Sequence, residues 1–252
     1  PSVLSGKVGN DKFGEIYLDQ INKYDVFSKV VQGNGPTGTS IVLITPDAER
    51  TMNTHLGMCR EYNVKDIDEK LLMSSSFLYF TGYMWDTDSQ KEAIQKAVDI
   101  AQSCKLKICF DVADPFVVER NREEFFEFIK HNVDIVFANQ PELLILFQSK
   151  DIDKSINRLM NIAKCGGVKL GKKGSIVFNN LEKSNIEPKL ISAKDTTGAG
   201  DMYAAGFLSQ FFKTNDYIAS GKIGSVLAEE IIQINGAQFD KDKMSQIRSK
   251  IF

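Results

Sequence analysis

Short apolar runs alternate with stretches of helical periodicity from residue 77 onward. The runs that have the length of buried strands are 77–80, 106–111 and 134–138. Between the first two runs, apolar residues recur at helical spacing from Ile94 to Ala101, which predicts a helix opened by Asp88 or Ser89. Strand–helix–strand repeats with continuous apolar strands predict an α/β fold, in which helices cover both faces of a mostly parallel sheet.

The pattern predicts further elements within this region and on both sides of it. Two β-type runs, 41–45 and 51–56, flank a turn formed by Pro46-Asp47-Ala48-Glu49 and predict a β-hairpin in a small β-rich element. Further strands are predicted over 168–170, 175–178 and 186–191. Helices are predicted over 119–130, 198–212, 216–233 and 241–251.

Composition and charge narrow the class of protein. The chain has 252 residues, of which 42% are hydrophobic and 25% charged, as in an ordinary folded globular protein. Its net charge of −2 gives no basic surplus for nucleic acid. No apolar run approaches the ~20 residues that span a bilayer. The four cysteines lack metal-site or disulfide spacing, which predicts a reducing, cytoplasmic environment, and two histidines exclude a multi-histidine metal site.

Two glycine-rich stretches imitate nucleotide-binding motifs. The stretch from Gly33 to Gly38 satisfies Gly-x-Gly-x-x-Gly, but a β-run follows it and Pro36 removes an amide donor, so we interpret it as a flexible turn. The stretch from Gly166 to Lys173 resembles a phosphate-binding loop. However, Lys173 replaces the Ser or Thr that would bind magnesium, so we reject this interpretation as well.

A third stretch, Asp195-Thr196-Thr197-Gly198-Ala199-Gly200-Asp201, follows a predicted strand and opens a predicted helix. The first amides of a helix are unpaired and carry partial positive charge, and glycine lets an anion approach them. Asp201 then stands in or beside the first helical turn, where it could accept a proton from a hydroxyl. A glycine-rich turn in which Asp201 only caps the helix explains the same spacing.

These residues carry a resemblance to a known family. Residues 195–208 resemble the second signature of the PfkB family of carbohydrate and nucleoside kinases, and 6–14 resemble the end of its first signature. Asn139-Gln140-Pro141-Glu142 is similar to the family's Asn-x-x-Glu motif. The segment 169–174 is similar to its nucleotide-binding strand and loop, and Gly236-Ala237 to its closing Gly-Ala. Residues 50–54 and 111–116 most resemble bacterial sugar kinases grouped with adenosine kinase.

The resemblance implies a ribokinase-like α/β kinase that transfers a phosphoryl group from ATP to a primary hydroxyl of a sugar or nucleoside. It implies that Asp201 is the catalytic base and that the amides of Gly198, Ala199 and Gly200 form an anion hole. The residues implied to act near Mg-ATP are Asn139, Glu142, Lys169, Gly171, Gly174 and Gly236. Glu142 would orient the magnesium shell through water, and Asp195 with Thr197 would help bind a potassium-like ion.

Asn139 and Glu142 also have a structural explanation. Asn139 as the helix N-cap, Pro141 in the first turn and Glu142 at the third position form a capping box after a strand. We expect the pair to cap the helix and also to act near magnesium.

The resemblance also implies a division into domains. Residues 29–57 would contribute to a β-sheet lid, through which a homodimer could form, and 1–28 with 58–252 would form the kinase domain. The family's first strand, its early substrate-binding Asp and its Gly-Gly pair should lie before Gly6, and without them we expect an incomplete sugar site. A non-catalytic nucleotide- or sugar-binding relative is therefore the alternative. A dehydrogenase is a distant third, because its fingerprint would need a helix after Gly38.

Overall fold

The computed structural model describes residues 2–24, 26–45, 50–189 and 191–251, except for the Arg50 side chain. The chain forms two compact units. The first comprises Pro1–Val42 and Met52–Ile108, and the second comprises Leu43–Thr51 and Cys109–Phe252. Among the described residues, no helix is both long enough and apolar enough to cross a membrane.

Strands and helices alternate through most of the described chain. The strands are β1 (Ser2–Gly9), β2 (Val26–Gly33), β3 (Thr39–Ile44), β4 (Arg50–His55), β5 (Phe77–Thr81), β6 (Lys107–Asp111), β7 (Ile135–Asn139), β8 (Cys165–Lys169), β9 (Ser175–Asn179) and β10 (Lys183–Ile186). The α-helices are α1 (Lys12–Ile21), α2 (Glu69–Met73), α3 (Asp88–Ser103), α4 (Pro115–Arg120), α5 (Arg122–Asn132), α6 (Gln140–Leu146), α7 (Ile152–Met160), α8 (Ala199–Thr214), α9 (Tyr217–Ile231) and α10 (Lys241–Ile251). Short 3₁₀ helices occupy Gly57–Glu61, Val64–Asp66, Gly82–Trp85 and Gly171–Lys173.

The strands form one large sheet and two small ones. The large sheet has the order β10-β9-β8-β7-β6-β5, and the pairs β1-β2 and β3-β4 are separate. Strands β6, β7 and β8 are parallel, whereas β9 and β10 are antiparallel to their neighbours. Residues Ile135 to Ala138 of β7 are each at most 1% exposed, so both faces of the sheet are covered at this strand. The predicted α/β architecture is confirmed.

The strand register determines which side chains share a face of the sheet. Because side chains alternate along a strand and register partners point the same way, one face carries Asp111, Phe137, Asn139, Gly167 and Lys169. The ring of Phe137 packs against Tyr203 and Phe207 of α8, with centroid distances of 6.3 and 5.2 Å. Helix α8 therefore covers this face.

Strand β8 begins three residues before the predicted strand 168–170, at Cys165. Because glycine has low strand propensity, the sequence pattern did not predict that Gly166 and Gly167 belong to the strand. A Cβ on Gly166 would lie 2.2 Å from the Val136 carbonyl oxygen, and one on Gly167 would lie 2.9 Å from the Tyr203 ring. These glycines let β7 and α8 approach β8 closely, and the strand excludes a phosphate-binding loop at Gly166.

Two other predicted elements differ from the structure. The predicted helix 119–130 is two helices, α4 and α5, which meet at Asn121. The Asn121 side-chain amide donates to the Val117 carbonyl at 2.9 Å and so ends α4. The predicted strand 186–191 is also wrong, because β10 ends at Ile186. Pro188 cannot donate a ladder hydrogen bond, and Leu190 lies outside the described residues.

The predicted hairpin is present as the pair β3-β4, and its predicted turn, 46–49, lies outside the described residues. The stretch from Gly33 to Gly38 leads into β3, as predicted for a turn. Asp11 holds this turn, because its carboxylate accepts from the Thr37 amide at 2.8 Å and from the Thr37 hydroxyl at 2.6 Å. No helix follows it, so it has no helix N-terminus for a pyrophosphate.

We predict that Gly166→Ala destabilises the protein by roughly 1–3 kcal/mol, because the added methyl group would overlap the Val136 carbonyl of the neighbouring strand. Urea-induced unfolding followed by circular dichroism measures the change in the free energy of unfolding. Gly6→Ala is the matched control. Gly6 is also a strand glycine, and a Cβ there meets no atom within 4 Å, so we expect a change below about 0.5 kcal/mol. Equal losses in both variants would contradict the close approach at Gly166.

Candidate active site

Helix α8 begins without a side-chain cap. Its N-cap is Gly198, which has a left-handed φ of 78° and makes no side-chain capping hydrogen bond. The predicted position of Asp201 in the first turn is confirmed. The Ala199 amide donates to the Thr196 carbonyl at 3.3 Å, which is a long hydrogen bond. The start of the helix thus presents backbone amides and a carboxylate in one place.

Lys169 reaches the start of α8 from the end of β8. A Cβ on Gly200 would lie 3.3 Å from the Lys169 Nζ atom. The ammonium group therefore adds a full positive charge beside the partial charge of the helix N-terminus. The pair forms a cradle for an anionic group, and a side chain on Gly200 would fill part of it.

Asp111, at the end of β6, forms an ion pair with this lysine. The Asp111 Oδ2 atom lies 2.8 Å from Lys169 Nζ, and the two side chains are only 6% and 18% exposed. Burial lowers the pKa of Lys169, but the Asp111 and Glu142 carboxylates raise it by more, so its pKa lies above the ordinary value. Lys169 is therefore held as a partly buried cation at the carboxyl ends of the strands.

Asn139 and Glu142 form the predicted capping box at the start of α6. The Asn139 amide donates to Glu142 Oε2 and its side-chain amide to Oε1, both at 2.6 Å. The Glu142 amide donates to Asn139 Oδ1 at 2.9 Å. The capping function is confirmed, and it places a carboxylate that is 1% exposed at the same sheet edge as Lys169.

Burial is the main influence on the ionisation of Glu142. Burial raises the pKa of the Glu142 carboxyl to about 7, and the Asp111 and Asp114 carboxylates add to this, whereas Lys169 and the Asn139 amide oppose it. One ammonium thus faces several carboxylates. A further cation near Glu142 would favour its ionised form.

Asp195 joins the segment before α8 to the loop near Gly236. Its carboxylate is buried, and Oδ1 accepts from the Thr197 amide at 2.8 Å and from the Thr197 hydroxyl at 2.6 Å. Oδ2 accepts from the Gly236 amide at 2.8 Å. A Cβ on Gly198 would lie 2.8 Å from the Ala237 Cβ. The structure therefore brings together the closing Gly-Ala and the start of α8.

Gly171 and Gly174 form the turn between β8 and β9. The Gly174 amide donates to the Gly171 carbonyl at 3.0 Å. Both glycines have positive φ angles, 60° at Gly171 and 81° at Gly174. A Cβ on Gly174 would lie 2.1 Å from the Ile186 carbonyl oxygen, whereas one on Gly171 would meet no atom within 4 Å. Gly174 is required by packing, and Gly171 leaves open space beside the turn.

The residues fit a nucleotide with a magnesium ion in specific respects. The start of α8 with Lys169 fits phosphate oxygens. The carboxylates of Asp111, Glu142 and Asp201 all act on the one Lys169 ammonium, and carboxylate oxygens fit a divalent cation nearby. Among the described residues, no cluster of three or more His, Cys, Asp or Glu side chains could hold a metal ion. A magnesium ion would therefore take most of its ligands from phosphate and water.

Sequence reasoning assigned no function to Asp111. Its signal is a carboxylate that ends an otherwise apolar strand, Ile108 to Phe110, at the sheet edge where ligands bind in α/β proteins. Asp111 and Lys169 are 58 residues apart, and only the strand register brings them together.

We predict that the difference in unfolding free energy between the wild type and Glu142→Gln decreases as pH rises from about 4.5 to about 7. The pKa of Glu142 is raised in the folded protein, so its contribution to stability is complete below pH 4.5 and is lost as pH rises through 7. The decrease is on the order of 1–3 kcal/mol. Chemical unfolding at several pH values measures it, and Glu142→Gln provides the reference without a titrating group. A difference that stays constant would refute the raised pKa.

The chain is similar to known proteins in sequence and in fold. A model of the pfkB family of carbohydrate kinases matches residues 1–244. The structure superposes on adenosine kinase from Sinorhizobium meliloti with a TM-score of 0.94 and 34% identity, over 98% of this chain and 77% of that one.

More distant relatives show the same fold. A putative ribokinase II from E. coli superposes with a TM-score of 0.90 and 19% identity, over 100% of this chain and 83% of that one. In sequence, an uncharacterized sugar kinase of Archaeoglobus fulgidus is 25% identical over 240 residues, which are 92% of each chain. The predicted ribokinase-like fold is confirmed, and the chain belongs to the pfkB family of carbohydrate kinases.

Proposed function

We propose that the protein is an ATP-dependent kinase that transfers the γ-phosphoryl group to a primary hydroxyl of an adenosine- or ribose-like substrate. The observation that carries the proposal is the start of α8, where uncapped helical amides, the Lys169 ammonium and Asp201 lie together. Phosphoryl transfer requires positioning and stabilisation of negative charge, and these groups supply both.

The backbone amides and Asp201 would have separate functions in phosphoryl transfer. The amides of Gly198, Ala199 and Gly200 would bind the oxygens of the transferred phosphoryl group. Asp201 would accept a hydrogen bond from the substrate hydroxyl and then its proton. A helix N-terminus stabilises an ionised carboxylate and makes it a weak base. The loose transition state of phosphoryl transfer compensates for this, because the proton leaves late and orientation of the hydroxyl matters more than basicity.

The nucleotide would be held by Lys169, Gly171, Gly174 and Gly236. The magnesium ion would lie near Asn139 and Glu142, which would act on it through water. When bound, ATP supplies the phosphoryl group and Mg²⁺ neutralises part of its charge. The open space beside Gly171 and Gly236, where an added Cβ meets no atom within 4 Å, supports the first assignment. The position of the Glu142 carboxylate at the start of α6, at the same sheet edge as Lys169, supports the second.

We extend the proposal to a potassium-like ion near Asp195 and Thr197. The Asp195 carboxylate is 1% exposed, and its oxygens accept hydrogen bonds from Thr197 and from the Gly236 amide, so it ties the segment before α8 to the loop near Gly236. A monovalent cation beside these oxygens would stiffen the loop before Gly198.

The relatives named adenosine kinase and sugar kinase favour a small polyhydroxylated substrate over a macromolecule. We therefore propose a cytoplasmic enzyme that acts on neither nucleic acid nor membranes. The alternative is a non-catalytic relative that binds the same ligands. Formation of ADP stimulated by a sugar or nucleoside distinguishes the two.

We also propose that 29–57 acts as a lid and forms a homodimer. Ile41 and Leu43 lie two residues apart in β3, share one face of the strand, and are 69% and 63% exposed. A two-stranded sheet is marginal by itself, so contact with a ligand or with a second copy would stabilise it. Closure over a substrate would exclude water from the phosphoryl group and suppress hydrolysis of ATP.

We predict that Asp201→Asn lowers kcat by at least ~10²-fold, because a near-isosteric change removes the proton acceptor. Coupled-enzyme assays with a panel of sugars and nucleosides measure the loss, after calorimetry has shown that binding of ATP is retained. Asp216→Asn is the matched control. Asp216 caps α9 by accepting from the Ile218 and Ala219 amides, so the change should leave kcat within about 3-fold. Near-normal turnover of Asp201→Asn would reject the assignment.

We predict that backbone amides of β3 and β4 exchange faster than those of β7 in the free protein. They should slow when a phosphorylated substrate and a non-hydrolysable ATP analogue bind together. The lid strands lack the burial that protects β7, and closure would supply it. Hydrogen exchange followed by mass spectrometry measures both states. Exchange in β3 as slow as in β7, and unchanged by ligands, would show that the hairpin is a static part of the fold.

A further inference from the structure

The proposed function includes Lys169, but it gives no function to Asp111, the other member of the ion pair. Burying an ion pair of this kind costs solvation energy that the attraction between its members only partly returns. A contribution to folding stability therefore does not explain this ion pair, and its position in the site requires another explanation. It lies at the edge of the sheet where α8 begins.

Asp111 is itself held rigidly. Its Oδ1 atom accepts from the Ala113 amide at 3.0 Å, while Oδ2 binds the lysine. Ala113 has a left-handed φ of 79°, which is unfavourable for a residue with a Cβ. The strained turn and the two hydrogen bonds fix the carboxylate, which in turn fixes the ammonium at the end of a flexible four-carbon chain.

Two other carboxylates compete for the same ammonium. Both Glu142 and Asp201 attract Lys169. The oxygens of Glu142 already accept hydrogen bonds from Asn139. If Lys169 turned to Asp201 instead, it would occupy the group that has to receive the substrate hydroxyl. Asp111, at the end of β6, is the third carboxylate. Its ion pair with Lys169 keeps the ammonium close to Gly200, so that Lys169 does not turn to Asp201.

We propose that Asp111 is a positioning residue that holds Lys169 against the transferred phosphoryl group. The inference rests on the proposed kinase function. During transfer, the bond from phosphorus to the ADP oxygen breaks and the bond to the substrate oxygen forms. The hydroxyl proton passes to Asp201, and Lys169 keeps its proton while it donates hydrogen bonds to the phosphoryl oxygens. Asp111 contacts none of the reacting atoms and acts only through Lys169.

A double-mutant cycle on kcat tests this. We expect Lys169→Met to lower kcat by ~10²-fold or more, since it removes a donor to the phosphoryl group. We expect Asp111→Asn to lower kcat by ~10- to ~100-fold through misplacement of the ammonium, with the KM for ATP changed less than about 3-fold. The double variant should be no slower than Lys169→Met, because Asp111 has no effect once the lysine is gone.

A second ion pair supplies the matched control. Lys164 Nζ lies 2.7 Å from Asp134 Oδ1, just before strands β8 and β7 begin, which is the opposite end of the same sheet. Asp134→Asn, Lys164→Met and their combination should leave kcat within about 2-fold of the wild type. Asp111→Glu restores the charge one methylene further out, and we expect it to recover at least ~3-fold in kcat over Asp111→Asn. If Asp111→Asn fails to fold, as circular dichroism would show, Asp111→Glu is compared with the wild type. It should then lower kcat without changing KM.

The outcomes separate this inference from the proposed function. Losses in kcat that multiply in the double variant, or an Asp111→Asn enzyme with normal kcat, would overturn the positioning function while the wild type still works as a kinase. A parallel loss of kcat in the control pair would also overturn it, since it would show a general structural effect. A wild-type chain that phosphorylates no sugar or nucleoside would overturn both.

Discussion

The geometry of the site depends on one partly buried cation, Lys169. Lys169 ends β8, Asp111 ends β6, and Asn139 ends the strand between them. In a parallel sheet these ends meet at one edge, so the polar groups gather there with little solvent to screen them. The ammonium neutralises part of the resulting charge and lies beside the N-terminus of α8. Without it, the carboxylates would repel one another and the helix start would lose the charge that makes it fit for phosphate.

Packing on the covered face of the sheet sets the position of that helix. Gly167 leaves room for the Tyr203 ring, and the Tyr203 hydroxyl hydrogen-bonds the Ser175 hydroxyl at 2.9 Å. Phe207 packs on Phe137 one helical turn further along. These contacts lie far enough along α8 that its first turn, with Gly200, projects to the edge where Lys169 ends its strand. The apolar core thus determines where the polar cradle forms.

The sequence predicted those parts of the site that local patterns encode. The capping box of Asn139 and Glu142 is a four-residue signal, and the stretch that ends in Asp201 is a seven-residue one, so both could be recognised without a structure. The pairing of Asp111 with Lys169 could not, because it depends on the register of two strands about a third strand. The start of β8 could not be predicted for a related reason. Gly166 is required because the Val136 backbone of the neighbouring strand leaves no room for a Cβ, and strand propensity carries no sign of that contact.

The burial of Glu142 makes its ionised form costly to stability. Burial holds the pKa of Glu142 at about 7, although the Lys169 ammonium and the Asn139 amide oppose the shift, so ionising this group costs stability at neutral pH. A cation near Glu142 would favour the ionised form, because an opposite charge offsets part of the cost of burying a carboxylate. Lys169 limits the cost without removing it, since one ammonium cannot balance Asp111, Glu142 and Asp201 together.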